Sequence, residues 1–515
     1  MTVRRRILAV LVAPLAAALV LTGCDAVVMA APRVSRTPVV AGAPAGFEDL
    51  YGQTLDWSSC EGTDPGTYDC TTVTAPLDWT DASAGTIDLA LIRRHATKGD
   101  PVGSLLVNPG GPGASGYDIV ADSAAYVAST AVENVYDVVG FDPRGVGRST
   151  SVTCLDASAM DTYLYDIPAD PRGSDGWTDE LTARNQTFVD ACEANSDGIL
   201  PYITTDNAAR DMDLLRAVLG DETLTYLGYS YGTFLGATYA KLFPERVGRL
   251  VLDGAIDPSI SGLDVGTTQA VGFESALRAY MADCLTGRDC PFSGTLDQAM
   301  GALGDLLASV DAAPLRNTDG RMLGADSLMT AIIAALYSQD SWSYLTQALT
   351  ATLQGDPSLA FQLADFYNGR NADGTYQDNS TEAFRAYNCM DYPTDDSQAD
   401  QDAADALVAE KAPTIAPYWD GVDVCAVWPY PPTGVREKIT ADGAAPIVVV
   451  GTTNDPATPY AWAQSLAEQL SSGVLVTREG EGHTGYNKGN TCVDRAVDAY
   501  LIDGTVPQDG LTCNA

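Results

Sequence analysis

Leu224-Thr225-Tyr226-Leu227-Gly228-Tyr229-Ser230-Tyr231-Gly232-Thr233-Phe234-Leu235-Gly236 is the stretch on which the fold turns. An apolar run rich in strand formers ends at Gly228, and from Tyr231 to Phe243 the apolar spacing is that of a helix. Between them lies Gly-x-Ser-x-Gly, a strand-to-helix turn so sharp that glycine is needed two positions to either side of the serine. Working outward, Asp206 to Leu219 reads as a helix with Ala208, Met212, Leu215 and Leu219 on one face. Asp206 stands ready to cap it and Gly220 stops it. Arg249–Asp253 reads as the next strand. Thr71–Trp79 and Thr86–His95 are strand-like, and Gly103–Val107 is an apolar run entering the turn Asn108-Pro109-Gly110-Gly111-Pro112-Gly113. Val135–Phe141 is closed by Asp142-Pro143-Arg144-Gly145-Val146-Gly147-Arg148-Ser149. Strands alternating with helices predict an α/β fold, a mostly parallel sheet with helices on both faces.

The alternation stops near Asp257-Pro258. Val271–Leu285, Leu296–Val310, Ser327–Tyr337 and Ala399–Lys411 read as helices, and strands return with Pro446–Gly451 and Val474–Thr477, with helix-like Trp462–Leu470 between them. The sequence thus predicts one sheet domain in two parts, 47–258 and 436–515, interrupted by a large helical lid over 259–435.

The formal charge of −39 and pI near 4.1 speak against nucleic acid as a partner, because phosphate binding needs clustered Lys and Arg. At the N-terminus, Arg4-Arg5-Arg6 precede an apolar stretch, Ile7–Leu21, that is short for a membrane span. Leu21-Thr22-Gly23-Cys24 resembles a bacterial lipobox, so 1–23 reads as a lipoprotein-type signal and Cys24 as the lipidated first mature residue. Residues 24–46, rich in Ala, Pro and Val, read as a tether, and the outer face of the cell membrane, or secretion, as the location. Of eleven cysteines, ten remain once Cys24 is set aside. An even number in an exported chain implies disulfides, and the expected pairing is sequential: Cys60–Cys70, Cys154–Cys192, Cys284–Cys290, Cys389–Cys425 and Cys492–Cys513. Zinc is the weaker alternative, since no Cys-x2-Cys occurs; no metal and no cofactor motif is found.

Only two histidines occur. His95, after Arg93-Arg94, reads as a surface residue. His483 lies 28 positions beyond Asp455, an interval suited to one crossover, with Asp455 directly after a strongly apolar strand. The order Ser230, Asp455, His483 is that of a nucleophile-elbow hydrolase. In such a site His483 takes the proton from Ser230, and Asp455 fixes its tautomer. The oxyanion donors are expected to be the amides of Tyr231 and Gly111.

Gly110-Gly111-Pro112-Gly113, Asp142-x-Arg144-Gly145-x-Gly147-x-Ser149 and Gly228-Tyr229-Ser230-Tyr231-Gly232-Thr233 resemble the proline iminopeptidase branch of the α/β-hydrolases. A closer similarity is to the secreted tripeptidyl aminopeptidases of high-GC Gram-positive bacteria and their lipoprotein relatives, through Val251–Pro258 and Ala445–Cys513. Asn108-Pro109 stands where the iminopeptidases carry a histidine, a departure that bears on proline specificity. The resemblance implies an α/β-hydrolase fold and a monomeric exopeptidase releasing short N-terminal fragments, tripeptides by that likeness. A carboxylate should meet the substrate ammonium: Asp391 is the first nominee and Asp257 the second. Two other readings stay open, a carboxylesterase or lipase using the same three residues, and a non-catalytic envelope binding protein.

Overall fold

The apolar runs become the central strands, and short polar or half-exposed pieces add to the edges and to a small separate pair. In chain order these are β1 (Ser58–Ser59), β2 (Tyr68–Pro76), β3 (Thr86–Arg94), β4 (Ser104–Asn108), β5 (Asp137–Phe141), β6 (Leu224–Tyr229), β7 (Val247–Asp253), β8 (Leu315–Arg316), β9 (Met322–Leu323), β10 (Ile447–Asn454), β11 (Gly473–Glu481) and β12 (Leu511–Cys513). The computed structural model describes residues 36–64, 66–393, 396–419 and 421–514. The expected signal 1–23, Cys24 and the tether up to residue 35 lie outside the described residues.

Ten strands form one sheet in the order β1-β2-β3-β5-β4-β6-β7-β10-β11-β12, while β8 and β9 pair separately. Pairing is antiparallel from β1 to β5 and parallel from there to β12. Every residue of β4 and β5 is buried, as expected of strands sandwiched between helices. On one face Val120 and Val127 of the helix Gly116–Val127 pack with Val493, Val497 and Tyr500 of the helix Thr491–Asp503. The other face carries the helices Thr205–Val218, Tyr231–Leu242 and Tyr460–Gln469. Thr204, not Asp206, caps the first of these, its hydroxyl accepting from Asn207 N–H at 3.2 Å.

The register aligns the functional edge. Asp253 of β7 stands opposite Tyr229 of β6 and Val450 of β10, so Ser230 and Gly254 occupy the next row, beyond the carboxyl end of the sheet. Residues 36–46, within the expected tether, lie on the core: Arg36 pairs with Asp221 at 2.8 Å and Val39 N–H bonds Ala217 O at 2.9 Å.

Two helical insertions interrupt the sheet. Ala157–Tyr165 and Asp175–Asn195 lie between β5 and β6, a feature the periodicity did not reveal. In the longer insertion, Trp342–Leu353 and Ser358–Tyr367 join the expected helices, and a second apolar core forms around Leu277, Leu303, Ile332, Leu345 and Phe361. The helix Ser380–Asp391 differs, because Ala383, Ala386, Tyr387 and Met390 are buried in the main core. Five disulfides join Cys60–Cys70, Cys154–Cys192, Cys284–Cys290, Cys389–Cys425 and Cys492–Cys513, the sequential pairing.

The segment after β5 is nailed down by Arg144, whose guanidinium is fully buried. It donates to both oxygens of Asp211 at 2.7 Å and to the carbonyls of Leu77 and Pro76 at 2.9 and 3.1 Å. Trp79 Nε1 completes the carboxylate's shell at 2.9 Å. Removing one partner of a buried pair strands the other charge. Arg144→Ala should therefore lower the free energy of urea unfolding by about 3–5 kcal/mol. Arg148→Ala, whose partner Asp118 is solvent-accessible, should change it by less than about 1 kcal/mol.

Candidate active site

Ser230 sits at φ 54° and ψ −123°, in the left-handed half of backbone space where a side chain is strained. The turn is possible because no side chain projects from Gly228 and Gly232, two residues to either side. A Cβ at Gly228 would fall 2.4 Å from Gly232 O, and one at Gly232 would fall 2.8 Å from Asn108 Oδ1. The elbow is held from the next strand, since Ser230 N–H donates to Asp253 O at 2.9 Å. Tyr231 opens the following helix, so its amide is among the first-turn donors that no helical carbonyl can satisfy. The glycine turn after β4 stands against this point: a Cβ at Gly110 would lie 2.8 Å from Ser230 Cβ and 3.2 Å from Tyr231 N. Gly110 N–H itself donates to Asn108 Oδ1 at 3.0 Å, and Gly111 follows it in the turn.

Asp455 and His483 meet directly. His483 Nδ1 lies 2.9 Å from both carboxylate oxygens. Asp455 is 3% exposed and also accepts from Ala457 N–H, Thr458 N–H and Thr484 N–H at 3.0, 2.8 and 3.0 Å. That leaves the carboxylate one orientation. Thr458 Oγ1 comes within 3.3 Å of His483 Nδ1. The opposite ring nitrogen, Nε2, is buried without a hydrogen bond. The ring lies at the end of β7, where a Cβ on Gly254 would fall 3.1 Å from His483 Cε1. Gly254 directly follows the residue whose carbonyl holds Ser230. The order of strands β6, β7, β10 and β11 thus gathers the elbow, Gly254, Asp455 and His483 at one edge.

The loop that carries His483 is clamped from both sides. From below, the wholly buried carboxylate of Asp253 accepts Gly485 N–H at 2.8 and 3.0 Å and Tyr486 N–H at 2.8 Å. Burial pushes its pKa up to about 6, against the hydrogen bonds from Tyr486 and Gly485. From above, His483 N–H donates to Tyr337 O at 2.8 Å, and the Tyr337 ring meets the imidazole edge to face at 5.3 Å.

The two nominated acids are both engaged by neighbours. Asp391, 4% exposed, accepts from Thr205 N–H at 2.9 Å and Thr205 Oγ1 at 2.6 Å, and that hydroxyl also touches Tyr231 Oη at 2.6 Å. Burial raises its pKa to about 6. Asp257 accepts from Ser259 N–H at 2.9 Å, Ser259 Oγ at 2.7 Å and Gln469 Nε2 at 2.8 Å. His95, expected at the surface, is instead 6% exposed, with Nε2 2.7 Å from Asp69; pairing with a carboxylate is what allows it inside. Among the described residues no group of three or more His, Cys, Asp or Glu is placed to hold a metal ion.

Sequence reasoning missed Asp253, Thr458 and Tyr337. Asp253 carried a usable signal, an acid directly ending an apolar strand as Asp455 nearly does. Tyr337 carried none, because its role depends on how the insertion docks.

The family described as "TAP-like protein" matches residues 412–513. "Serine protease Hip1" of Mycobacterium tuberculosis is 36% identical over 532 residues, covering 99% of this chain and 98% of that one. "Carboxylesterase B" of the same organism is 38% identical over 493 residues, covering 94% and 92%. "Tripeptidyl aminopeptidase" of Streptomyces lividans is 30% identical over 472 residues, covering 89% and 86%.

Crowding around the His483 loop makes one substitution informative. Gly254→Ala would place a methyl 3.0–3.1 Å from Thr484 Cγ2, His483 Cε1 and Thr458 Oγ1, at a φ of +70°. It should slow fluorophosphonate labelling of Ser230 by about a hundredfold or more, since displacement of the order of 1 Å has that effect. Labelling at the parental rate would show that the loop absorbs the methyl.

Proposed function

This chain belongs to the tripeptidyl aminopeptidase-like family of α/β-hydrolases, and from that premise we propose that it is an exported, monomeric serine exopeptidase. It removes short fragments, tripeptides by kinship with its relatives, from free peptide N-termini. The observation that carries the reading is the bond between Asp455 and His483 Nδ1, with Nε2 left without a partner in a buried ring packed on Gly254, the residue after the one that holds Ser230 N–H.

The chemistry follows the placement. Ser230 Oγ attacks the scissile carbonyl while His483 Nε2 takes its proton; Asp455 stabilises the imidazolium through Nδ1–H. Negative charge growing on the carbonyl oxygen is met by the Tyr231 amide at the helix start and by the Gly111 amide. Gly110 is the poorer donor because its N–H is already given to Asn108. His483 then returns the proton to the leaving amine, and water releases the acyl fragment by the same route.

A free N-terminus is a cation, and this protein's acidity suits it. Phe384 N would lie 3.0 Å from a Cβ on Gly113. Further along the same helix, Asn388 and Tyr392 border a cavity of about 610 Å³ that Asp405 and Asp423 also line. Four to eight residues of helix span about 6–12 Å, and three extended peptide residues span about 10 Å. That match supports a three-residue fragment between the reacting carbonyl and the anchored amine. Asp391 is the leading amine anchor and Asp257 the second. Export, with Cys24 as a lipid anchor, rests on the N-terminal sequence and agrees with the five disulfides.

A second reading, ester hydrolysis by the same three residues, is favoured by one observation, the relative named Carboxylesterase B. Tripeptide and dipeptide aminomethylcoumarins with free and acetylated N-termini, compared with simple esters, separate the two. The peptidase reading expects the free tripeptide to be cleaved best and Ser230→Ala to abolish turnover; better cleavage of blocked substrates or esters would overturn it. Asp391→Asn should raise KM for free-amine peptides about tenfold or more, the worth of a charged hydrogen bond. An unchanged KM would show that Asp391 is not the anchor and leave Asp257 as the candidate.

A further inference from the structure

Asp253 touches both halves of the catalytic apparatus, and nothing in the mechanism above uses its side chain. Its carbonyl oxygen accepts from Ser230 N–H at 2.9 Å. Its carboxylate accepts from Gly485 N–H at 2.8 Å and Tyr486 N–H at 2.8 Å, two and three residues beyond His483. Gly254, the next residue, packs against His483 Cε1. One residue at the end of β7 therefore holds the nucleophile through its backbone and the base through its side chain. We propose that Asp253 is the positioning residue that fixes His483 against Ser230, and that its negative charge supports the imidazolium formed during acylation. The proposal rests on the serine-hydrolase reading of the site.

A carboxylate is a costly choice for a merely structural anchor. Asp253 is fully buried, and no cation lies within ion-pair distance of it among the described residues. A serine, an asparagine or a backbone carbonyl could accept two N–H groups without burying a charge. What the carboxylate adds is a fixed negative field beside the ring that becomes positive.

Its charged and titratable surroundings are few. From the loop after β11 come His483 and Lys488, both of which favour the ionised form. Lys488 Nζ is buried without a hydrogen bond, 2.9 Å from the centre of the Tyr126 ring, and burial draws its pKa down to about 8. Tyr126 of the helix Gly116–Val127 and Tyr229 of β6 face the same carboxylate. Asp455 lies on the far side of His483.

The signs follow. Removing the Asp253 charge makes the imidazolium harder to form, so the acid limb of kcat/KM should move to lower pH. Removing the Lys488 cation lets Asp253 take up its proton at higher pH, so its charge is lost sooner as pH falls and that limb should move to higher pH.

The test uses the disulfide-bonded protein with Asp253→Asn and Lys488→Met, each confirmed folded by its thermal transition. pH–rate profiles are taken on the peptide substrate and on a p-nitrophenyl ester, with Ser230→Ala as the blank. For D253N we expect kcat about a hundredfold lower, KM within twofold and the acid limb shifted down on both substrates. For K488M we expect the limb shifted up. Should D253N fail to fold, the K488M shift still decides. Unshifted limbs in the folded variants, or a D253N kcat within twofold of the parent, would overturn the role of Asp253 and leave the triad standing. Turnover surviving in Ser230→Ala would instead sink the serine-hydrolase reading itself.

Discussion

Everything at this site depends on a backbone that resists relaxing at one residue. Ser230 at φ 54° occupies a conformation that costs about 1–3 kcal/mol for a residue with a side chain. The surroundings leave it no alternative. Ser230 N–H is tied to β7, its carbonyl accepts from Thr233 N–H and Thr233 Oγ1 at 2.8 and 2.6 Å, and Tyr226 Oη bonds Gly232 O at 2.8 Å. The strain is useful because of where it aims the chain. It lifts the hydroxyl clear of the sheet while starting a helix whose first amide points to the same side.

Once the serine is fixed, its partners must come from the carboxyl ends of neighbouring strands, and the register determines which ones can. With Tyr229, Asp253 and Val450 in one row, a residue one step past β7 stands between the serine and anything reaching in from β10 or β11. That residue has to be small, and it is Gly254. The same geometry explains why an acid at the end of β7 can grip the loop after β11, since no side chain stands between them. Packing and electrostatics thus converge on one short stretch, Leu252-Asp253-Gly254.

Much of this was legible beforehand because it obeys local rules. The strand feeding Ser230 and the helix leaving it announce themselves by a change of period, Asp455 by ending an apolar run, and His483 by the scarcity of its kind. The sequential cysteines pair with near neighbours that hairpins and helix ends bring together. The rest depends on contacts between segments far apart in the chain. The helix Asp175–Asn195 carries too many polar residues for its apolar stripe to stand out, and Ala157–Tyr165 is too short to show a clear period. His95 looked exposed because its partner Asp69 sits on the neighbouring strand β2, 26 positions earlier, and a burial that depends on pairing cannot be read from one strand alone. Thr204 displaced Asp206 as the cap because the helix begins at Thr205, which puts Asp206 inside its first turn.

The inserted helices also have to be reconsidered as more than a cover. The helix Ser380–Asp391 is buried in the same core as the sheet, passes within van der Waals reach of Gly113, and hangs its last carboxylate on Thr205, whose hydroxyl touches Tyr231. Tyr337, at the end of another inserted helix, supplies the carbonyl that holds His483 N–H. The glycine turn, the helix that follows Ser230 and the loop that carries His483 therefore each have one wall made by the insertion. A segment so engaged cannot shift at those three points without moving the groups it supports. Whatever mobility the insertion has must belong to the parts packed only on its own second core, around Leu303 and Leu345, and not to the edges that complete the site.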